Sequence, residues 1–380
     1  MGRKIRVGFV GLQPGRSWAA RAHLPALQAL SDRFDVIGIA NTSRASAEAA
    51  AQATGIPLAF ENVAAMARSP EIDMISVTVR VPYHLELVRE AAASGKHVYC
   101  EWPLGNGLAE GIEMARLVRE AGVIGVVGTQ ARVAPEILYL RELLSEGYVG
   151  RVLSATITAY GRSWGAVHDD PANRGYMLER KNGATMLTIP MGHTLAAVRD
   201  VLGEFSEISS IVTNRRETIS LPETGERIPF DAPDQVLLTG RVGDGSPVSM
   251  HYRGGFPRGE VGFVWEINGS DGDLRVTGPH GGTQQVQLSI EGASGDARRL
   301  DRLAVPAKYT AGSWPENINP ANVARLYARM AKDIVEGACT APRFDDGVEL
   351  HRVIDAIEAA SQAGRRVHVE ATNRLIPLLV

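Results

Sequence analysis

Short uninterrupted apolar runs alternate with stretches of helical periodicity over the first third of the chain. Ile5–Val10, Phe34–Ala40 and residues 73–79, 98–100 and 124–127 read as buried strands, with helices over 83–94 and 108–121 between them. Apolar strands that alternate with helices predict a parallel, doubly wound sheet. From Arg151 the pattern changes. Residues 152–158, 208–213, 236–240, 248–252, 263–268 and 286–290 are strand candidates separated by turn residues, interrupted by one helix over 193–202. Strands in succession without long helices predict a large, mostly antiparallel sheet. Residues 323–336 and 347–363 return to helical spacing, and 292–301 reads as a polar, mobile stretch. The expected fold is α/β: an N-terminal Rossmann domain over 1–130, then an α/β domain over 131–380 with a large open sheet. The last helices of that second domain are free to pack back on the first.

The strand ends carry the polar residues. In residues 95–104 (GKHVYCEWPL) an apolar run ends in Pro103, which holds the residues before it extended and puts Glu101 and Trp102 at a strand's C-terminal edge. In open α/β sheets that edge binds ligands, although an isolated carboxylate is as often a solvated surface group. Gly11, Leu12, Gln13, Pro14, Gly15, Arg16 and Ser17 separate the first strand from a helix that begins near Ser17 or Trp18. Such a turn is either a phosphate cradle of backbone N–H groups or an ordinary βα turn; Gln13 stands where G-x-G-x-x-G has its second glycine. The second strand ends at Asn41, Thr42, Ser43 and Arg44. This polar and basic set suits the 2′-phosphate of NADP, or else Ser43 or Thr42 caps the helix that follows.

Composition narrows the classes. The 380 residues are enough for two cores. A net charge of −3, a pI near 6.3 and the lack of a Lys/Arg block predict no nucleic-acid surface. Cys100 and Cys339 are too few for a disulfide framework and lack metal-ligand spacing, and His168, Asp169 and Asp170 read as a polar loop, so no metal is expected. With no apolar leader and no run of about 20 apolar residues, no membrane contact is expected and the protein reads as soluble and cytoplasmic.

The strand-loop-helix start, the stretch from Thr78 to His84 followed by Gly95-Lys96-His97-Val98, the Glu101-x-Pro103 step and Gly192-His193 together resemble the Gfo/Idh/MocA family of sugar and polyol oxidoreductases, over nearly the whole chain. Gly8-Phe9-Val10-Gly11-Leu12, Trp18-Ala19, His23, Pro25, Glu101-Trp102, Gln130, Gly147-Tyr148-Val149-Gly150 and Gly192-His193-Thr194-Leu195 resemble in particular a fungal repressor branch of it. The resemblance implies NAD or NADP held by Gly11, Leu12, Gln13, Arg16, Ser17, Trp18, Asn41, Ser43, Arg44, Val79, His84, Glu101, Trp102, Pro103 and Gln130. It implies a carbohydrate substrate between the domains, near Glu101, Arg132, Tyr160, Arg162, Trp164 and His193, and a homodimer or homotetramer formed through the open sheet.

Departures from the family pattern bear on the chemistry. Enzymes of the family have Glu-Lys-Pro where this chain has Glu101-Trp102-Pro103, and an indole cannot shuttle a proton. Thr188-Ile189-Pro190-Met191 replace the segment that carries an aspartate, and Ala196 replaces an acid one turn after the histidine. His193 is the family-type acid/base that remains; a helix start would lower its pKa through the dipole, or the ring caps its own helix. Lys181 is either a replacement for the missing lysine or a solvated loop residue. Tyr160 and Trp164 offer flat faces to a sugar and Arg162 a fork for an anionic substituent, or the aromatic pair is sheet packing. Three readings follow: an NAD(P)-dependent oxidoreductase acting on a hydroxyl of a sugar, sugar derivative or glycoside; an NAD-dependent glycoside hydrolase using transient oxidation and elimination; and a dinucleotide-binding regulator without turnover, acting through a protein partner.

Overall fold

The computed structural model describes residues 3–167 and 175–370; His168, Asp169 and Asp170 lie outside the described residues. The chain forms two compact units, one of residues up to Gln130 with Ser313–Glu349, the other of Ala131–Gly312 with the described residues from Leu350 onward.

In the first unit, β1 (Ile5–Val10), β2 (Phe34–Ala40), β3 (Leu58–Phe60), β4 (Met74–Val77), β5 (His97–Glu101) and β6 (Gly125–Gly128) form one parallel sheet in the order β3-β2-β1-β4-β5-β6. All four positions of β4 are buried, as a strand covered on both faces requires. Strand order reverses between β1 and β4, and the loops at the C-terminal ends beside that switch point form the crevice where such sheets take ligands. Three-residue β3 has no run long enough to read from sequence; its pairing with β2 makes it a strand. The helix Ile318–Glu336 belongs to this unit. Asp333 near its end accepts the backbone N–H groups of Thr340 and Ala341, and the chain beyond runs past β6, where Val127 N–H donates to the Pro342 carbonyl at 3.0 Å and covers the sheet edge.

In the second unit, β7 (Val152–Tyr160), β8 (Phe205–Thr213), β11 (Gln235–Val242), β12 (Ser246–Arg253), β13 (Phe263–Gly269), β14 (Gly272–Gly278), β15 (Ser289–Ser294), β16 (Asp301–Leu303) and β17 (Val367–His368) form a nine-stranded sheet. Its order is β16-β15-β14-β13-β7-β12-β11-β8-β17, antiparallel except where β7 meets β12. The short strands β9 (Thr218–Ser220) and β10 (Arg227–Pro229) pair separately. The α/β class, the parallel first sheet and the mostly antiparallel second sheet are as the residue pattern predicts.

Alternation sets the two faces of the large sheet. On β7, Ala155, Ile157 and Ala159 are buried, while Ser154, Thr156, Thr158 and Tyr160 point to the other face. Tyr252 belongs to the buried set and donates its hydroxyl to Thr194 of the helix Gly192–Leu202 at 2.6 Å, so that helix covers the buried face. The opposite face carries Thr156, Glu266 and Arg275, with Ile211 and Leu237 exposed side by side on paired strands. Two local readings are corrected. Residues 292–301 are not one loose stretch: β15 extends to Ser294 and β16 begins at Asp301, a hairpin of paired strands. The strand β14 lay unread because glycines at both ends and Asp273 mimic a turn. No helix among the described residues is long and apolar enough to cross a membrane.

Candidate functional site

Five strand ends of the first unit carry the expected cofactor residues. Gly11, directly after β1, has φ 86°, and a Cβ there would lie 2.5 Å from Val79 Cγ1, so the turn after β1 closes against the loop after β4 in a way that side chains obstruct. Leu12 is buried. The turn is held by Ser17, whose hydroxyl accepts the Gln13 N–H at 2.9 Å and the Ala20 N–H at 3.2 Å, while Arg16 lies exposed. The Asn41 carboxamide donates to the carbonyls of Leu12 and Ser46, tying the loop after β2 to the turn after β1.

Several of those residues do structural work instead. Ser43 is the cap of the helix Arg44–Thr54, accepting the Ser46 N–H, and Arg44 donates to Glu48 at 2.7 Å. His84 is fully buried: one ring nitrogen faces the Val79 carbonyl at 3.0 Å and the other the Pro103 carbonyl at 3.0 Å. It lies between the loop after β4 and the cis Trp102-Pro103 step, and, kept neutral by burial, it donates its one N–H to one of the two carbonyls. The Trp102 side chain is packed away with the core.

Glu101 is the chemical centre of this edge. Oε1 receives His23 Nε2 at 3.1 Å and Gln130 Nε2 at 2.7 Å. Gln130 also donates to the Tyr99 hydroxyl at 3.2 Å, and His23 Nδ1 meets the Tyr327 hydroxyl at 2.7 Å. The His23 ring stands edge-on to Tyr99, Tyr327, Phe9 and Trp18. Tyr327 and Ser76 had no signal in the sequence, because the contact between Tyr327 and His23 spans 304 positions; His23 entered only through the family resemblance.

In the second unit, His193 is buried, with its pKa lowered to about 3 by burial, and its Nδ1 has no hydrogen-bond partner. The expected dipole cause is corrected: the π-helical turn Leu187–Met191 runs directly into the helix Gly192–Leu202, so His193 sits inside a continuous helical stretch. Arg132 is held by Asp200 through two bonds of 2.8 Å, an internal fork rather than a substrate contact. Tyr160 stands on the sheet face opposite the helix that carries His193, under the Arg253 guanidinium at 5.1 Å. Trp164 is buried and donates its indole N–H to the Met177 carbonyl, which is packing. Lys181 is 76 % exposed and paired with Glu179, which raises its pKa, the wrong direction for a base. Arg162 is half-buried at φ 66°, and its charge adds to burial in lowering His280 to about 4. Among the described residues, Arg162 and Trp164 are the non-glycine residues at positive φ, adjoining a turn whose Gly161 and Arg162 N–H groups donate to the Arg253 and Gly255 carbonyls.

Two observations test whether the first unit's edge takes a dinucleotide. Gly11 lets the turn after β1 close against Val79 where a Cβ would clash, and the edge holds one buried donor, Trp18 Nε1, and one buried acceptor, Asn41 Oδ1, that lack partners. A ligand carrying hydroxyls and phosphates supplies both complements, and the residues fit it. No group of three or more His, Cys, Asp or Glu suited to a metal occurs among the described residues.

Comparison with known proteins agrees with that fit. Residues 5–129 match the oxidoreductase family with an NAD-binding Rossmann fold, GFO_IDH_MocA, and residues 135–278 match the C-terminal domain of Gal80p. The dehydrogenase aclE of Aspergillus oryzae is 31% identical over 289 residues, covering 73% of this chain and 78% of that protein. The galactose/lactose metabolism regulatory protein GAL80 of Saccharomyces cerevisiae is 30% identical over 294 residues, 73% and 67% of the two chains. A crystal structure of a super-repressor mutant of that protein superposes with a TM-score of 0.88 at 26% identity, covering 97% of this chain and 98% of the other. Levoglucosan dehydrogenase, in complex with NADH and levoglucosan, shares the fold at a TM-score of 0.81 and 21% identity, covering 97% and 100%.

Two outcomes are expected from this geometry. Gly11→Ala should weaken nicotinamide dinucleotide binding at least tenfold while the far-UV spectrum stays native, since the new methyl meets Val79; equal calorimetric affinity would place the cofactor elsewhere. Burial keeps His193 and His351 neutral when folded, at about 3 and about 4 against an ordinary 6.5, so the unfolded chain binds protons that the folded one refuses. Stability is therefore lost as pH falls below 6.5, by about 2 kcal/mol per histidine at pH 5. A urea midpoint that is the same at pH 7 and pH 5 would contradict it.

Proposed function

Because the chain belongs to the Gfo/Idh/MocA oxidoreductase family, we propose that it is an NAD(P)-dependent oxidoreductase acting on a hydroxyl of a sugar, sugar derivative or glycoside. His193 carries this reading: a buried imidazole nitrogen without a partner is costly unless a ligand group completes it. When bound, the dinucleotide would supply the hydride acceptor. His193 holds the substrate hydroxyl and takes its proton. A low pKa does not disqualify it, since a hydroxyl proton becomes that of a protonated carbonyl as hydride departs and needs only a weak base.

The finer assignments rest on separate observations. NAD and NADP both suit the loop after β2: the Arg44–Glu48 pair is exposed and worth only about 0.3–0.5 kcal/mol, so Arg44 can leave Glu48 for a 2′-phosphate. A carbohydrate substrate draws on the levoglucosan complex of a relative that shares the fold. Self-association through the open sheet face draws on Ile211 and Leu237 standing exposed there.

A second reading, a dinucleotide-binding regulator, is favoured by the Gal80p match over 135–278 and by Trp102 in place of the family lysine. One assay separates the readings. Both cofactors are incubated with a panel of sugars, polyols and glycosides, and nicotinamide absorbance and sugar release are followed together. The oxidoreductase reading predicts net cofactor reduction, lowered about 10²-fold or more in His193→Asn with dinucleotide affinity kept, and unchanged in Lys181→Ala. Sugar release without net reduction would move the assignment to the hydrolase, and bound cofactor with no reaction to the regulator.

A further inference from the structure

With His23 neutral, the residues behind Glu101 leave one consistent assignment of protons. The Glu101 carboxylate is an acceptor, so the His23 Nε2 atom, 3.1 Å from Oε1, carries a hydrogen. A neutral imidazole has one N–H, which makes Nδ1 the acceptor, and the Tyr327 hydroxyl at 2.7 Å must donate to it. Burial pushes Tyr327 well above its ordinary value of 10, so the phenol keeps the proton that this bond uses. With that proton committed, the Tyr327 oxygen accepts from Ser76, 2.7 Å away. Hydrogen bonds therefore run in one direction from Ser76 through Tyr327 and His23 to Glu101, where the Gln130 N–H converges on the same oxygen at 2.7 Å.

We infer that Tyr327 and His23 are positioning residues: Glu101 sets the His23 tautomer, and the hydroxyl of Tyr327, on a helix from the far end of the sequence, donates to Nδ1 and holds the ring in the place from which it orients the Glu101 carboxylate toward the ligand edge. This rests on the reading that a nicotinamide dinucleotide occupies that edge. The burial pattern agrees with the direction of the chain. His23 is 0 % exposed whereas the Glu101 side chain is 14 % exposed, so the network ends on the one carboxylate that opens outward. Its aromatic members fix each other as well, with Tyr99 and Tyr327 at 4.7 Å and His23 edge-on to both. Removing the Tyr327 hydroxyl leaves that packing in place and leaves the His23 Nδ1 lone pair without its donor, which loosens the ring that holds Glu101.

The test reads the tautomer directly. Protein labelled with ¹⁵N-histidine is examined by long-range proton-nitrogen correlation, the His23 signals being identified by their loss in His23→Gln. The native protein is expected to show only the Nε2–H form, and Tyr327→Phe the same form with its Nδ1 resonance shifted toward that of a free lone pair and an unchanged near-UV spectrum. Dinucleotide affinity should fall about 2- to 13-fold in Tyr327→Phe, as for one hydrogen bond between neutral groups, and His23→Gln, which keeps an N–H donor, should bind better than His23→Ala. An Nδ1–H form in the native protein would overturn the inference, as would a Tyr327→Phe variant that binds dinucleotide as tightly as the native one. Because the spectrum is taken without ligand, a native protein with the expected tautomer and no dinucleotide affinity would support the chain and overturn the cofactor reading.

Discussion

A carboxylate largely withdrawn from water at the end of a parallel strand must be supplied with donors, and the first unit is arranged around supplying them to Glu101. Two N–H groups end on its Oε1, and each is itself placed by a different part of the chain: Gln130 from just after β6, and His23 from the helical stretch after β1. The helix Ile318–Glu336 is drawn into this unit because its Tyr327 completes the far side of His23 and packs on Phe34 and Tyr99. A buried polar network that is satisfied at every step rigidifies its surroundings, whereas one lost partner leaves an unpaired group in low dielectric. The same edge is closed from the other side by His84, buried between the loops after β4 and β5.

The parts of this arrangement that were legible in the sequence are those with local causes. Apolar runs bounded by turns identify β1, β2, β4 and β5, and Pro103 marks where β5 must end, so the place of Glu101 follows from residues within a few positions of it. The strands β3 and β14 escaped because three residues carry no period and because glycine and aspartate at strand ends resemble a turn. Partners across the fold were the least accessible. Nothing near Arg132 announces Asp200, nothing near His23 announces Tyr327, and an isolated helical tyrosine looks like any core residue. The readings left open at Ser43, Trp164 and Lys181 share one reason: a polar or aromatic side chain in a loop reads as available until its hydrogen bonds are seen.

The second unit contributes a contrast in how polar groups are left. Most of its buried polar side chains are completed internally, as in the bond of Tyr252 to Thr194 or of Asp234 to the backbone of Arg215. His193 Nδ1 is an exception, in a helical stretch opened into a π-helical turn just before it, a feature that recurs at functional positions. Placing the uncompensated group on a rigid, covered helix rather than on a loop keeps it from relaxing onto a neighbour. Trp102 then changes the chemistry without changing the scaffold: the strand end and the Glu101 network persist, while the proton carrier expected beside them is replaced by a buried indole.

The central claim is that the strand ends gathered around Glu101 form a nicotinamide dinucleotide site. A crystal structure determined with NAD or NADP bound tests it most directly. The account predicts the pyrophosphate against the turn of Gly11 to Ser17, a ribose hydroxyl on Asn41 Oδ1, and the nicotinamide beside Glu101 with its Oε1 still held by His23 and Gln130. A dinucleotide seated elsewhere, or a Glu101 that abandons His23 when the ligand binds, would contradict it.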